Sequence, residues 1–118
     1  MIHSVSLTFT GNGTNYIGSS LRGRILAVKV VAGAVTASFD LTLTGETTGI
    51  PILIDLSATE SATTWYHPRA FATQNTDGDP ATDAFVEIPV LKERIKCVTA
   101  NAGTTKDITV TVIYDSDD

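Results

Sequence analysis

The segment WYHPRA, residues 65–70, sets the chain's only tryptophan beside a tyrosine, one of its two histidines, a proline and an arginine. Aromatic faces, an imidazole and a guanidinium crowded together could serve catalysis, ligand stacking or the gripping of another protein. Catalysis finds little support. Acid–base work needs a titratable group held in a cleft beside a partner. His67 precedes Pro68 and His3 sits near the start, and neither belongs to a Ser/His/Asp or Cys/His arrangement. Cys97, alone between Lys96 and Val98, reads as a small core residue. A single cysteine allows neither an internal disulfide nor a cysteine metal cluster. No enzyme is expected.

A second cluster, NTDGDPATD, offers Asn75, Asp77, Asp79 and Asp83 as oxygen ligands that could suit Ca²⁺. The closing glutamate of an EF-hand loop is missing, and no helical pattern flanks the segment. Asp-Gly followed by Asp-Pro is ordinary turn chemistry, and that reading is preferred, so no cofactor is expected. On a strand, Trp65 and Tyr66 point to opposite faces. One is expected in the core and the other at the rim. With one Trp, three Tyr and four Phe, the chain shows no flat aromatic row of the kind a carbohydrate-binding module would use.

Charge narrows the partners. Eight Lys+Arg against thirteen Asp+Glu give a net charge of −5, the wrong balance for neutralising phosphates, so nucleic acid is not an expected partner. Lys92, Arg94 and Lys96 alternate and read as one solvated strand face. No apolar run is long enough to span a membrane, and the N-terminal MIHSVSLTFT lacks the pattern of a signal peptide. Synthesis and first folding in a cytoplasm are the expectation.

The elements that must position these residues are strands. VTASFDLTLT alternates without a break, with Val35, Ala37, Phe39, Leu41 and Leu43 on one face. HSVSLTFT does the same with Val5, Leu7 and Phe9, and DITVTVIY with Ile108, Val110, Val112 and Tyr114. RILAVKVV is apolar on both faces and suits a covered strand. IPILIDL starts beside Pro51, SATTWYH follows, and AFVEIPVL carries Pro89, so edges are expected at both prolines. RIKCVTA is expected to pair with the last strand across NAGTTK, and AGA at 32–34 to close a hairpin between its neighbours. GNGTNYIGSSLRGR reads as a loop or irregular arm. It is no phosphate cradle, because it lacks a GK[ST] ending and a following helix. A second long connection is expected from His67 to Asp83. The expected fold is therefore all-β: a single domain over residues 1–118, an antiparallel β-sandwich (jelly-roll or barrel-like) of about eight strands with two long loops.

Residues 65–115 resemble a family of small virion proteins of tailed bacteriophages. The matching pieces are Tyr66, Pro68 and Arg69, then Ile88-Pro89-Val90, Glu93-Arg94-Ile95-Lys96 and the Ala102-Gly103 turn. His67 is an insertion relative to that pattern, and Cys97 stands where the family has Val. The resemblance implies a capsid decoration or cement protein in the virion. It would bind the outer surface of the major capsid protein lattice as a homo-oligomer around a capsid symmetry axis. On this reading Trp65 anchors the strand end in the core, and Tyr66, Pro68 and Arg69 are the expected partner contacts, with Tyr16, Arg22 and Arg24 as a second set. Replacing Tyr66 and Arg69 is expected to weaken capsid binding and leave melting nearly unchanged. A head–tail connector or tail protein is the alternative, and a carbohydrate-binding module the distant one.

Overall fold

The computed structural model describes residues 1–32, 39–58, 63–73, 80–100 and 107–116. They form eight strands: β1 (Ile2–Thr10), β2 (Gly13–Ala32), β3 (Phe39–Gly45), β4 (Pro51–Ala58), β5 (Thr63–Tyr66), β6 (Arg69–Thr73), β7 (Pro80–Ala100) and β8 (Asp107–Asp115). All pairings are antiparallel, in the order β1-β8-β2-β7-β3-β4, with β5 added to β2 and β6 to β7. Phe9 of β1 and Ile52 of β4 stand at opposite ends of that order yet belong to one buried cluster. A flat sheet cannot bring its two ends together, so this one curls on itself like a sandwich, as expected.

The alternating segments behave as their patterns require. Phe39, Leu41 and Leu43 are buried in β3, and Ile108, Val110 and Val112 in β8, while Val5, Leu7 and Tyr114 pack against the same core. Val35 and Ala37 lie outside the described residues. Along β1 the outward hydroxyls meet those of β8: Ser6 Oγ and Thr111 Oγ1 are 2.7 Å apart, Thr8 and Thr109 Oγ1 2.8 Å, and Thr10 donates to Asp107 at 2.8 Å.

The connectivity differs from the expectation at four places. GNGTNYIGSSLRGR is no loop, since most of it forms the first half of β2, a strand of 20 residues. AFVEIPVL and RIKCVTA are one strand, the 21-residue β7. Strand β7 does not pair with β8 across residues 101–106, nor β2 with β3, because β2 lies between β8 and β7, and β7 between β2 and β3. The connection from His67 to Asp83 contains β6 and the start of β7. Hairpin reasoning fails here because two long strands each serve two sets of neighbours. Residues 13–25 of β2 pair with β7 and residues 24–32 with β8. Pro51, as expected, opens an edge strand.

Strands this long must bend, and the bends are local irregularities. Ile17 faces Ile95 and Leu21 faces Glu93, so β2 spends three residues, including Gly18 (φ 78°), against one of β7. At Gly23 (φ 133°) the backbone passes so close to β8 that a Cβ would sit 2.0 Å from the carbonyl oxygen of Asp115. Only glycine fits there. On β7, Arg22 faces Leu91 and Leu21 faces Glu93, which leaves Lys92 as an extra residue in the left-handed region at φ 56°.

That extra residue reverses the phase of β7 and turns Glu93 inward, where it is 4 % exposed. Its carboxylate accepts from the Thr47 amide at 2.8 Å, the Thr48 amide at 3.0 Å and the Thr48 hydroxyl at 2.8 Å. These bonds fasten the turn between β3 and β4, itself closed by Gly49 N–H donating to Gly45 O at 3.0 Å. Burial opposes the charge on Glu93, but the donors of Thr48 and Thr47 outweigh it and hold the carboxyl below its ordinary 4.5.

Three outcomes are expected. Gly23→Ala forces the β2 and β8 backbones apart and lowers Tm by about 10 °C, on the order of 2–3 kcal/mol. Lys92→Gly relieves the left-handed strain and is at least as stable as the parent, by about 0.5–1 kcal/mol in thermal melts. For Glu93 the folded carboxyl titrates lower than the unfolded one. Its contribution is therefore present above pH 4.5 and lost as pH falls through the folded value. Glu93→Gln should accordingly lie well below the parent in Tm at pH 7, and the gap should close as pH falls below 4.5 and through the lowered folded value.

Candidate functional site

In WYHPRA, β5 runs beside β2 and ends at Tyr66, and β6 starts at Arg69 beside Glu87 of β7. His67 and Pro68 form the corner that carries the chain from one neighbour to the other. Pro68 is buried there and His67 is exposed. Proline suits such a corner because its φ is fixed and it has no N–H to leave unpaired. The aromatic pair is the reverse of the expectation. Trp65 is 50 % exposed, with Lys29 Nζ 5.5 Å from its ring centroid, whereas Tyr66 packs against the core. Register explains it: Tyr66 lies opposite the buried Val28 and Trp65 opposite Lys29. A Tyr66→Ala change therefore costs packing, contrary to the expectation that melting would be spared.

Arg69, expected to reach a partner, is engaged within the chain while remaining exposed. Its Nη1 donates to Pro68 O at 2.6 Å and to Leu26 O at 3.2 Å. The second acceptor is available because the pairing of β2 with β8 skips Leu26. Arg24 sits between two strands: Nη2 reaches Asp115 Oδ2 at 3.3 Å and Nη1 lies 3.7 Å from Glu87 Oε1. Asp115 also accepts from the Met1 ammonium at 3.0 Å. That bond and charge, with Arg24 adding to them, hold the Asp115 carboxyl below its ordinary range.

Two shallow grooves meet at Pro89. One, of about 530 Å³, runs between Arg22–Arg24 and Pro89–Lys92. The other, of about 420 Å³, is lined by the apolar residues 50–54 of β4 and its preceding turn, with Arg69 and Glu87 at its rim. The fold thus brings Arg22 and Arg24 into one groove and Arg69 into its neighbour. Tyr16 is elsewhere, its ring 4.1 Å beneath the Arg94 guanidinium. Arg94 forks onto Glu46, with Nε donating to Oε1 at 2.8 Å and Nη2 to Oε2. This pairing holds the Glu46 carboxyl low and Arg94 high. Of the expected basic face, Arg94 is thereby occupied, and Lys92 leaves the alternation at the bulge.

Asn75, Asp77 and Asp79 lie outside the described residues, and Asp83 falls within β7, its side chain not described. Among the described residues no group of three His, Cys, Asp or Glu side chains could hold a metal ion, and no helix is long and apolar enough to cross a membrane. Cys97 is fully buried in the core, and burial pushes its thiol up to about 12, far from a nucleophile's range. Sequence reasoning missed the buried Glu93 and the outward pair Leu91 and Lys92. Both follow from the change of phase between Val90 and Ile95, a signal visible in the spacing of the apolar residues.

No protein-family model matches the chain, and no curated protein matches it. Two solved structures share its fold. One is a chain of the cyanophage Pam1 capsid asymmetric unit, 15 % identical with a TM-score of 0.54, the match covering 97 % of this chain and 82 % of that one. The other is a chain of the acidic stable capsid structure of the Helicobacter pylori bacteriophage KHP30, 15 % identical with a TM-score of 0.53, covering 96 % of this chain and 86 % of that one.

Proposed function

We propose that this chain is a structural protein of a phage virion, a decoration (cement) protein on the outer surface of the major capsid protein lattice. The observation that carries the reading is the fold likeness, spanning nearly the whole chain, to chains of two phage capsids. The surface is compatible with it. Trp65, Ile54 and Leu91 expose 50 %, 62 % and 59 % of their area, apolar surface suited to contact with a neighbour. A homo-oligomer around a symmetry axis would repeat such modest contacts many times, and repetition turns weak contacts into firm attachment. Tyr66, Pro68 and Arg69 belong to this reading as the corner that presents Trp65 and Arg69, and Arg22 and Arg24 as one wall of the adjoining groove.

Quantitative mass spectrometry of purified particles tests it. Copies on the order of hundreds per particle are expected for decoration, whereas about six or twelve would reject it in favour of a connector or tail ring. In a co-sedimentation assay with capsids lacking the protein, Trp65→Ala with Arg69→Ala should bind about tenfold more weakly while Tm falls by only a few degrees. Undiminished binding by that double variant would displace the contact from this corner.

A further inference from the structure

The groove of β2 and β7 holds three of the chain's eight Lys and Arg residues, Arg22, Arg24 and Lys92, in a protein of net charge −5. Arg24 already meets two carboxylates of its own chain, Asp115 and Glu87. Lys92 makes no hydrogen bond or ion pair among the described residues. It also occupies a backbone conformation that disfavours lysine, φ 56°. Burying Glu93 requires the bulge, but a glycine at 92 would provide it with less strain. A long cation retained at a strained position points to a use for the side chain. The bulge has a second effect: Leu91 and Lys92, consecutive in sequence, are both exposed, and Leu91 lies opposite Arg22 in the register. An apolar patch therefore sits between cations.

We propose that this groove receives an extended, carboxylate-bearing segment of a partner protein, with Lys92 meeting a carboxylate and Leu91 covering an apolar side chain next to it. Identifying that partner as the capsid lattice rests on the reading above, but the chemistry of the groove can be tested without capsids. Charge complementarity argues for an acidic occupant. The overall charge of −5 and the exposed Leu91 favour a protein segment over nucleic acid, whose continuous phosphates the rest of the chain would repel.

The test uses the full chain, ¹⁵N-labelled, and a hexapeptide of alternating glutamate and leucine. Its glutamine counterpart and a short oligothymidine serve as comparisons. Amide shifts confined to Arg22–Arg24 and Leu91–Lys92, absent with the glutamine peptide, are expected. Lys92→Gly, which the strain argument makes at least as stable as the parent, should weaken glutamate-peptide binding about fivefold or more. Unchanged affinity in Lys92→Gly, shifts centred elsewhere, or oligothymidine binding the same residues as tightly would overturn the proposal. Groove-confined peptide binding by a protein that ignores capsids would uphold the groove and defeat the capsid reading. Full capsid binding by Lys92→Gly would defeat the groove as the contact and leave that reading standing.

Discussion

The close passage of Gly23 under the Asp115 carbonyl is the constraint on which the rest of this fold depends. Strand β2 must leave β7 and take up β8, and it can do so only if the two backbones approach without a side chain between them. From that crossing the layout follows. Residues before it build one half of the curled sheet with β7 and β3, and residues after it build the other half with β8 and β1. The flanking arginines are carried outward into one groove, and Leu26, skipped by the register, offers Arg69 a carbonyl that seats the Pro68 corner.

Much of this was legible in the sequence, for a physical reason. Where a strand has one dry face, period two survives in the residues, as in FDLTLT and DITVTVIY, and those segments lie where the pattern put them. Legibility fails where one strand changes partners. RILAVKVV reads as a covered strand, but nothing in it reveals that the Gly-rich stretch before it is the same strand, because glycines at a crossing and glycines in a loop look alike in sequence. The aromatic pair fails differently. Alternation says that Trp65 and Tyr66 diverge, but only the partner strand, with Val28 inward and Lys29 outward, decides which goes in. The bulge at Lys92 was readable after all: Ile88 and Val90 sit in one phase, Ile95 and Cys97 in the other, and an extra residue must stand between them.

Several of the described charges hold the chain's own corners. Arg94 ties Glu46 beside Tyr16, Glu93 ties the adjoining turn, and Arg24 ties two strands at the crossing. The exposed pairs of Arg94 and Arg24 contribute little each, the buried Glu93 more, and all of them orient turns and strand ends. A surface organised in this way presents fixed shapes to a neighbour. Ordering a contact surface in advance lowers the entropic cost of binding.

The hydroxyl row along β1 and β8 adds a property of another kind. Ser6 with Thr111 and Thr8 with Thr109 are neutral pairs, with no charge for salt to screen. Those two hydroxyl bonds keep their strength in brine, where exposed ionic ties such as Arg24 to Asp115 are screened. The β1–β8 margin therefore joins salt-indifferent bonds along its middle to an ionic tie, Met1 to Asp115, at one end.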